Sequence, residues 1–126
     1  MGVTDFNLYL VTDRNQTVGR DFLWVLEQAL DGGVRAVQLR EKDLSGRDLF
    51  LLAERSHKLC QAYRAALFIN DRVDVASAVD ANGVQLGKPS VPVETARALL
   101  GSQKLIGVST HTLEEAKAAE QSGADF

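Results

Sequence analysis

Ala36-Val37-Gln38-Leu39-Arg40-Glu41-Lys42 begins as a buried strand and ends in charge. Successive strand side chains point to opposite faces, so Val37 and Leu39 share one face while Ala36, Gln38, Arg40 and Lys42 share the other. Helical patterns precede and follow the run, so helices cover its aliphatic face, and one amide and two cations look into some other enclosed space. In parallel α/β architectures the carboxyl ends of the strands are where ligands bind. The run therefore reads as a strand tip carrying a site.

The 126 residues suffice for one modest domain with a real core, read here as a single domain over 1–126. A content of 45% hydrophobic and 25% charged residues is that of an ordinary globular protein, and a net charge of −3 argues against nucleic acid or an anionic membrane as partner, so any anion site must be local. The single cysteine, Cys60, excludes an intrachain disulfide and fits a reducing cytoplasm. It falls on the covered stripe of its helix, with Leu49, Ala53 and Ser56, so it reads as core filler rather than a reactive thiol. The N-terminus has no basic segment followed by an apolar one, and no apolar run approaches the roughly 18 to 20 residues of a membrane span. The expectation is an untargeted, soluble, cytoplasmic chain.

Strand one is expected at 8–12, followed by a polar loop at 13–16. From about Asp21 a helix carries Phe22, Leu26, Ala29 and Leu30 on one stripe and ends at Gly32-Gly33. After strand two, Ser45 with Asp48 three residues on caps a long helix whose covered side is Leu49, Leu52, Ala53, Ser56, Cys60 and Tyr63. His57 on that helix reads as a surface residue rather than a ligand. Strand three at 66–69 runs into Asn70-Asp71 and a short helix at 72–79, and strand four is 83–86. A helix near Pro92 runs to Gly101, and strand five is 105–108. Thr112 and Glu115 form a capping box for a helix ending near Gly123, and 124–126 resemble the opening of a sixth strand.

Five β-α repeats predict parallel strands joined by right-handed crossovers. Two architectures compete. In a doubly wound sheet the central strands are buried on both faces and read as near-continuous apolar runs. Here Gln38 with Arg40, Gln85 between Val84 and Leu86, and Ser109 with Gly107 all fall opposite the large aliphatics, as in a barrel with a partly polar interior. The α/β fold expected is a (β/α)8 TIM-barrel type. Such a barrel needs about 200 residues or more, so the chain would be a partial barrel of five β/α units plus the start of a sixth strand.

Five segments carry a family resemblance: Tyr9-Leu10-Val11-Thr12-Asp13, Val37-Gln38-Leu39-Arg40-Glu41-Lys42, Phe68-Ile69-Asn70-Asp71-Arg72, Gly83-Val84-Gln85-Leu86-Gly87 and Gly107-Val108-Ser109-Thr110-His111. In this order, over nearly the whole chain, they resemble the thiamine phosphate synthase and thiazole tautomerase superfamily. In the synthase, a transferase of thiamine biosynthesis, a Mg2+-bound pyrimidine pyrophosphate loses pyrophosphate and the nitrogen of thiazole phosphate captures the pyrimidine cation.

The resemblance implies that Arg40 and Lys42 bind pyrophosphate, with Gln38 beside the pyrimidine. Preorganised cations suit a leaving group that gains charge in the transition state. The competing reading pairs Arg40 and Lys42 with Glu41 and Asp43 as solvated loop charges. Asn70 is implied as an amide donor to substrate and Asp71 as a Mg2+ ligand, which agrees with magnesium's use of one or two carboxylates beside phosphate oxygens. Asp71 could instead cap the next helix, with Asp74 three residues on. Ser109 is implied to contact pyrophosphate, and His111 matches the proton-transfer residue of the tautomerase. The alternative is that residues 109–112 form only an elaborate cap.

Two positions depart from the synthase pattern: Gln85, implied to face substrate, stands where histidine is usual, and Ser90 stands where a second Mg2+ carboxylate usually follows. Ser90 either reaches the metal through water or caps the helix near Pro92. The family's Thr-rich, Lys-containing loop and its glycine loops for the substrate phosphate follow the sixth strand and are absent from these residues. Three readings therefore stand: a synthase, a tautomerase, or a truncated, non-catalytic phosphate-binding fragment. A partial barrel would also leave strand one, with Leu8, Leu10 and Val11, as an unprotected edge. The expectation is then a homo-oligomer in which a second copy covers the open side, or a longer polypeptide.

Overall fold

The computed structural model describes residues 6–126. Five strands alternate with five helices: β1 (Leu10–Val11), α1 (Phe22–Asp31), β2 (Ala36–Leu39), α2 (Gly46–Ala62), β3 (Ala66–Asn70), α3 (Val73–Val79), β4 (Gly83–Leu86), α4 (Val93–Leu100), β5 (Leu105–Val108) and α5 (Leu113–Gln121). All strand pairs are parallel and the order is β1-β2-β3-β4-β5. A doubly wound sheet reverses its strand order at a switch point, and this sheet does not. Consecutive helices pack on one another, α1 on α2, α2 on α3 and α3 on α4, so they share one side of the sheet. This is the winding of five β/α units of a (β/α)8 barrel.

Alternation sorts the two faces. Toward the helices point Val37, Leu39, Leu67, Ile69, Val84, Leu86 and Ile106, which join Leu26, Leu30, Ala53 and Cys60 in one dry core. Burying each large aliphatic there stabilises the fold by about 1.5 to 3 kcal/mol. The inner face is different: Phe6, Tyr9, Phe68 and Phe126 meet there, every pair of ring centroids 5.3–5.8 Å apart and mostly edge to face. Gly107 makes room for this cluster, because a Cβ there would lie 2.6 Å from Gln85 Oε1 and 2.7 Å from the Phe126 ring.

Helix starts follow their caps. Asp21 accepts from Trp24 N, Ser45 from Asp48 N and Thr112 from Glu115 N. The reciprocal arm of the last cap is displaced by one residue, since Glu115 Oε1 accepts from His111 N at 2.8 Å. After α5, residues 124–126 lie alongside β5: Asp125 N donates to Ile106 O at 2.7 Å and Val108 N to Phe126 O at 2.9 Å. These are ladder bonds of the kind a sixth strand makes.

Four local expectations need correction. The 13–16 loop contains a 3-10 turn, Arg14–Gln16, because Asp13 caps it by accepting from Asn15 N. β3 extends to Asn70, whose register partner is Gln85. β1 covers only Leu10–Val11 rather than 8–12, and Leu8 and Val11, 62% and 48% exposed, lie open as an unprotected edge does while Leu10 packs on the helix-side core. His57 is not a surface residue. It lies one turn beyond Ala53 and is 8% exposed, wedged on the inward stripe of α2.

Candidate functional site at the strand tips

The tip of β2 sorts its charges by direction. Glu41, 5% exposed, turns away toward the tip of β1, where its Oε2 accepts from Thr12 Oγ1 at 2.7 Å and its Oε1 accepts from Arg14 N at 3.0 Å and Arg14 Nη1 at 3.1 Å. A carboxylate removed from water needs such partners. Asp43 follows Glu41, accepting from Arg14 Nη1 at 2.7 Å and Nη2 at 2.9 Å. That two-pronged guanidinium contact holds its carboxyl down to about 2. Thr12 Oγ1 also accepts from Arg40 N at 3.0 Å, which fixes the backbone of the run. Because Arg14 takes both acids, neither Arg40 nor Lys42 has an ion pair among the described residues. The competing view of these two as partners of Glu41 and Asp43 does not hold.

The tip of β3 is strained. Asp71 has φ 65°, and Arg72 N donates to Asn70 O at 2.6 Å, closing a γ-turn around it. For a residue with a Cβ this geometry is rare and costs about 1 to 3 kcal/mol. Asp71 does not cap α3: the cap position is Arg72, without a side-chain bond to the helix. Arg72 instead grips Asp74 at 2.9 Å and 3.0 Å, which holds that carboxyl below the usual range.

After β4, Ser90 Oγ accepts from Gly87 N at 3.0 Å and so closes the 87–90 turn. It does not cap α4, whose cap position is Pro92. After β5, Ser109 Oγ accepts from Gln85 Nε2 at 3.1 Å. His111 Nδ1 lies 3.7 Å from Glu115 Oε1, and Lys88 Nζ lies 3.7 Å from Glu115 Oε2. The bond from His111 N holds the Glu115 carboxyl below its ordinary range.

Arg40, Lys42, Asn70, Asp71, Ser90, Ser109 and His111 all line one cavity of about 530 Å³ at the carboxyl ends of the strands. Gln38 and Gln85 do not line it. They are buried on the inner face beneath it; the Gln85 side chain reaches it through Ser109, and the Gln85 carbonyl accepts from Asp71 N at 2.8 Å. Residues that sequence reasoning passed over are Thr12 and Arg14, which aim the β2 tip, and Tyr9, whose hydroxyl donates to Gln85 Oε1 at 3.0 Å. Arg14 stands 27 residues from Glu41, and no local pattern marks that pairing.

No group of three or more His, Cys, Asp or Glu side chains that could hold a metal occurs among the described residues. An all-protein cage is therefore not what the cavity offers. Of its two lining carboxylates, Glu41 is engaged with Arg14, and Asp71 shares the cavity with the Ser90 hydroxyl and with Arg40 and Lys42, which have no ion pair among the described residues. One carboxylate with room for phosphate oxygens and water fits Mg2+, which keeps much of its hydration and takes few protein ligands.

A family model described as thiamine monophosphate synthase matches residues 8–126. A putative thiamine-phosphate synthase of Geobacter sulfurreducens is 56% identical over 126 residues, all of this chain and 59% of that protein. The thiamine-phosphate synthase of Alkaliphilus oremlandii is 48% identical over 122 residues, 97% of this chain and 58% of that protein. Among solved structures, a thiamine phosphate pyrophosphorylase from Pyrococcus furiosus superposes with a TM-score of 0.87 at 39% identity, covering 94% of this chain and 57% of that one. The chain thus spans under two thirds of the length of these relatives.

Proposed function

Because the chain belongs to the thiamine monophosphate synthase family, we propose that it supplies the pyrophosphate- and pyrimidine-binding side of a transferase that joins a pyrimidine pyrophosphate to thiazole phosphate. The observation that carries this reading is the sorting of charge at the β2 tip: Arg14 takes Glu41 and Asp43, and Arg40 and Lys42 are left to the cavity that also holds Asp71 and Ser109.

In this reading Arg40 and Lys42 bind the pyrophosphate, and Ser109 donates to one of its oxygens. Asn70 lies on the pyrimidine side, with Gln38 buried beneath the cavity floor and Gln85 behind Ser109. The bond between the pyrimidine methylene and pyrophosphate oxygen breaks, the leaving group keeping the electron pair, and the thiazole nitrogen lone pair forms the new C–N bond. Fixed cations stabilise the charge that grows on the leaving oxygen more than they stabilise the ground state. Asp71, with Ser90 nearby, would hold Mg2+, which supplies neutralisation of the pyrophosphate charge. His111 sits at the rim, where it could move a proton. Residues 1–126 are taken as one barrel-type domain acting on small phosphorylated molecules in the cytoplasm, without nucleic-acid or membrane partners. The net charge of −3 supports the reading without nucleic acid, and no described helix is long and apolar enough to cross a membrane.

The test is turnover by the expressed protein, its intact mass measured alongside, on the pyrimidine pyrophosphate and thiazole phosphate with Mg2+. Formation of thiamine phosphate with stoichiometric pyrophosphate is the expected outcome. Isomerisation of a thiazole without condensation would replace this reading with the tautomerase one, and failure to bind pyrophosphate would remove both.

A further inference from the structure

We propose that Tyr9 and Gln85 are positioning residues: they form a directed chain of hydrogen bonds on the inner face that holds Ser109 as a donor toward an anionic oxygen in the cavity. Tyr9 donates to Gln85 Oε1 at 3.0 Å, and Gln85 Nε2 donates to Ser109 Oγ at 3.1 Å. A serine hydroxyl ordinarily turns its hydrogen to whichever acceptor is nearest. A carboxamide carries an acceptor on one arm and donors on the other, so once Tyr9 occupies the oxygen the nitrogen faces Ser109. The Ser109 hydrogen is then directed away from Gln85 and into the cavity that Ser109 lines.

Two further features fit this direction. Gly107 leaves the space that Gln85 Oε1 occupies, since a Cβ there would approach it to 2.6 Å. The rings of Phe6, Phe68 and Phe126 pack around the Tyr9 ring at 5.5–5.7 Å and hold its hydroxyl in place against Gln85. Burial raises the Tyr9 phenol well above its ordinary range, against the smaller opposing effect of Gln38, so the chain's first donor stays protonated at any working pH. No member of the chain titrates near neutrality, and the donor direction at Ser109 does not change there. The inference rests on reading Ser109 as a pyrophosphate contact.

The test is calorimetric titration of the expressed protein and its variants with inorganic pyrophosphate in the presence of Mg2+. Ser109→Ala is expected to weaken binding about tenfold, the loss of one hydrogen bond to a charged acceptor. Gln85→Glu puts an acceptor on both arms, takes the serine hydrogen, and should weaken binding to a similar degree at about pH 8. The two losses should not multiply, because in the Ser109→Ala background Gln85→Glu has no serine hydrogen left to capture. Relative to the unchanged protein at the same pH, the Gln85→Glu loss should shrink toward about pH 5, where the carboxyl regains a proton to donate. Should Gln85→Glu fail to fold, Tyr9→Phe keeps the aromatic ring and removes only the first donor. It should cost about threefold alone and nothing in the Ser109→Ala background. Independent, multiplying losses would reduce the Glu effect to charge repulsion and overturn the relay while leaving the proposed function standing. Absence of pyrophosphate binding by the unchanged protein would overturn both.

Discussion

Among the described residues four with side chains hold left-handed backbone: Val18, exposed in the loop between β1 and α1, and three beside the longer helices and strands that divide by position. Arg64 (φ 56°) and Asp80 (φ 57°) follow α2 and α3 at the amino ends of the strands, where a left-handed residue closes a helix. Both give their N–H to the helix they close, to Gln61 O at 3.0 Å and Ser77 O at 3.2 Å. Asp71 (φ 65°) sits at the opposite end, where it closes no helix and its side chain lines the cavity. The charges divide in the same way. At the amino end Lys104 pairs with Asp80 at 2.6 Å, and Arg97 donates to the carbonyls of Gly101, Lys104 and Gly123 and to Asp125. At the carboxyl end Arg14 and Arg72 are paired too, with Glu41 and Asp43 and with Asp74, but Arg40 and Lys42, which line the cavity, have no such partners among the described residues. In a barrel the amino-end face carries stability and the carboxyl-end face carries chemistry. The two ends should therefore fail differently when altered.

The largest effect is expected at the amino end of β4. A Cβ on Gly83 would collide with the Leu105 carbonyl oxygen, which is backbone of the neighbouring strand and cannot move aside without breaking the ladder. Gly83→Ala should cost about 3 kcal/mol of stability, read by denaturant unfolding, with no separate change in the cavity. At the other end Arg40→Ala should cost about 3 kcal/mol in transition-state stabilisation, near a hundredfold in turnover, and leave the unfolding midpoint where it was. Lys42→Ala should act in the same direction. Normal turnover and normal pyrophosphate inhibition in both variants would show these cations to be solvated loop charges after all.

Next in size is Arg97→Ala, which frees three carbonyls and the Asp125 carboxylate at once and should destabilise by about 2 kcal/mol. Asp71→Gly should move the other way. Glycine occupies the γ-turn without strain, so stability should rise by about 1 kcal/mol while Mg2+-dependent binding of pyrophosphate falls. A stability loss at Asp71→Gly would mean that the left-handed aspartate serves the fold, as Asp80 does, and the contrast between the ends would weaken.

What could be read from sequence was the part set by local rules. The alternation in 36–39 and 83–86, the caps at Ser45 and Thr112, and the polar residues opposite the aliphatics give the parallel strands and a barrel-type inner face. His57 was also within reach, since it stands four residues after Ala53 and three before Cys60, on the buried stripe of α2. The remainder depends on partners remote in the chain. Nothing near Glu41 announces that Arg14 will claim it, and nothing in Asn70-Asp71-Arg72 announces a γ-turn. The Tyr9–Gln85 bond joins residues 76 apart and exists only once β1 and β4 face each other across the interior.

The smallest effect concerns His57, at the amino end between α2 and a shallow recess lined by Arg64, Asp80, Asn82 and Lys104. Burial holds its pKa below the ordinary value, with Asp80 acting to raise it and Lys104 to lower it further. In the unfolded chain the imidazole titrates near its ordinary value, about 6.5, so below that pH the unfolded state binds the proton more readily than the folded one. Stability should then be full above about pH 6.5, decline as the pH falls through that value, and level off once the folded histidine is itself protonated. The Asp80 carboxyl, held low by Lys104, titrates well below this window and adds nothing to the slope. Melting temperatures compared between about pH 7.5 and about pH 5.5 should fall for the unchanged protein and fall less for His57→Gln. Pyrophosphate binding in the two should differ at neither pH, because His57 lies at the far end of the strands from Ser109. Parallel melting curves for both proteins would mean that the imidazole is protonated as easily inside the fold as outside it. A change in pyrophosphate binding would mean that the two ends are coupled.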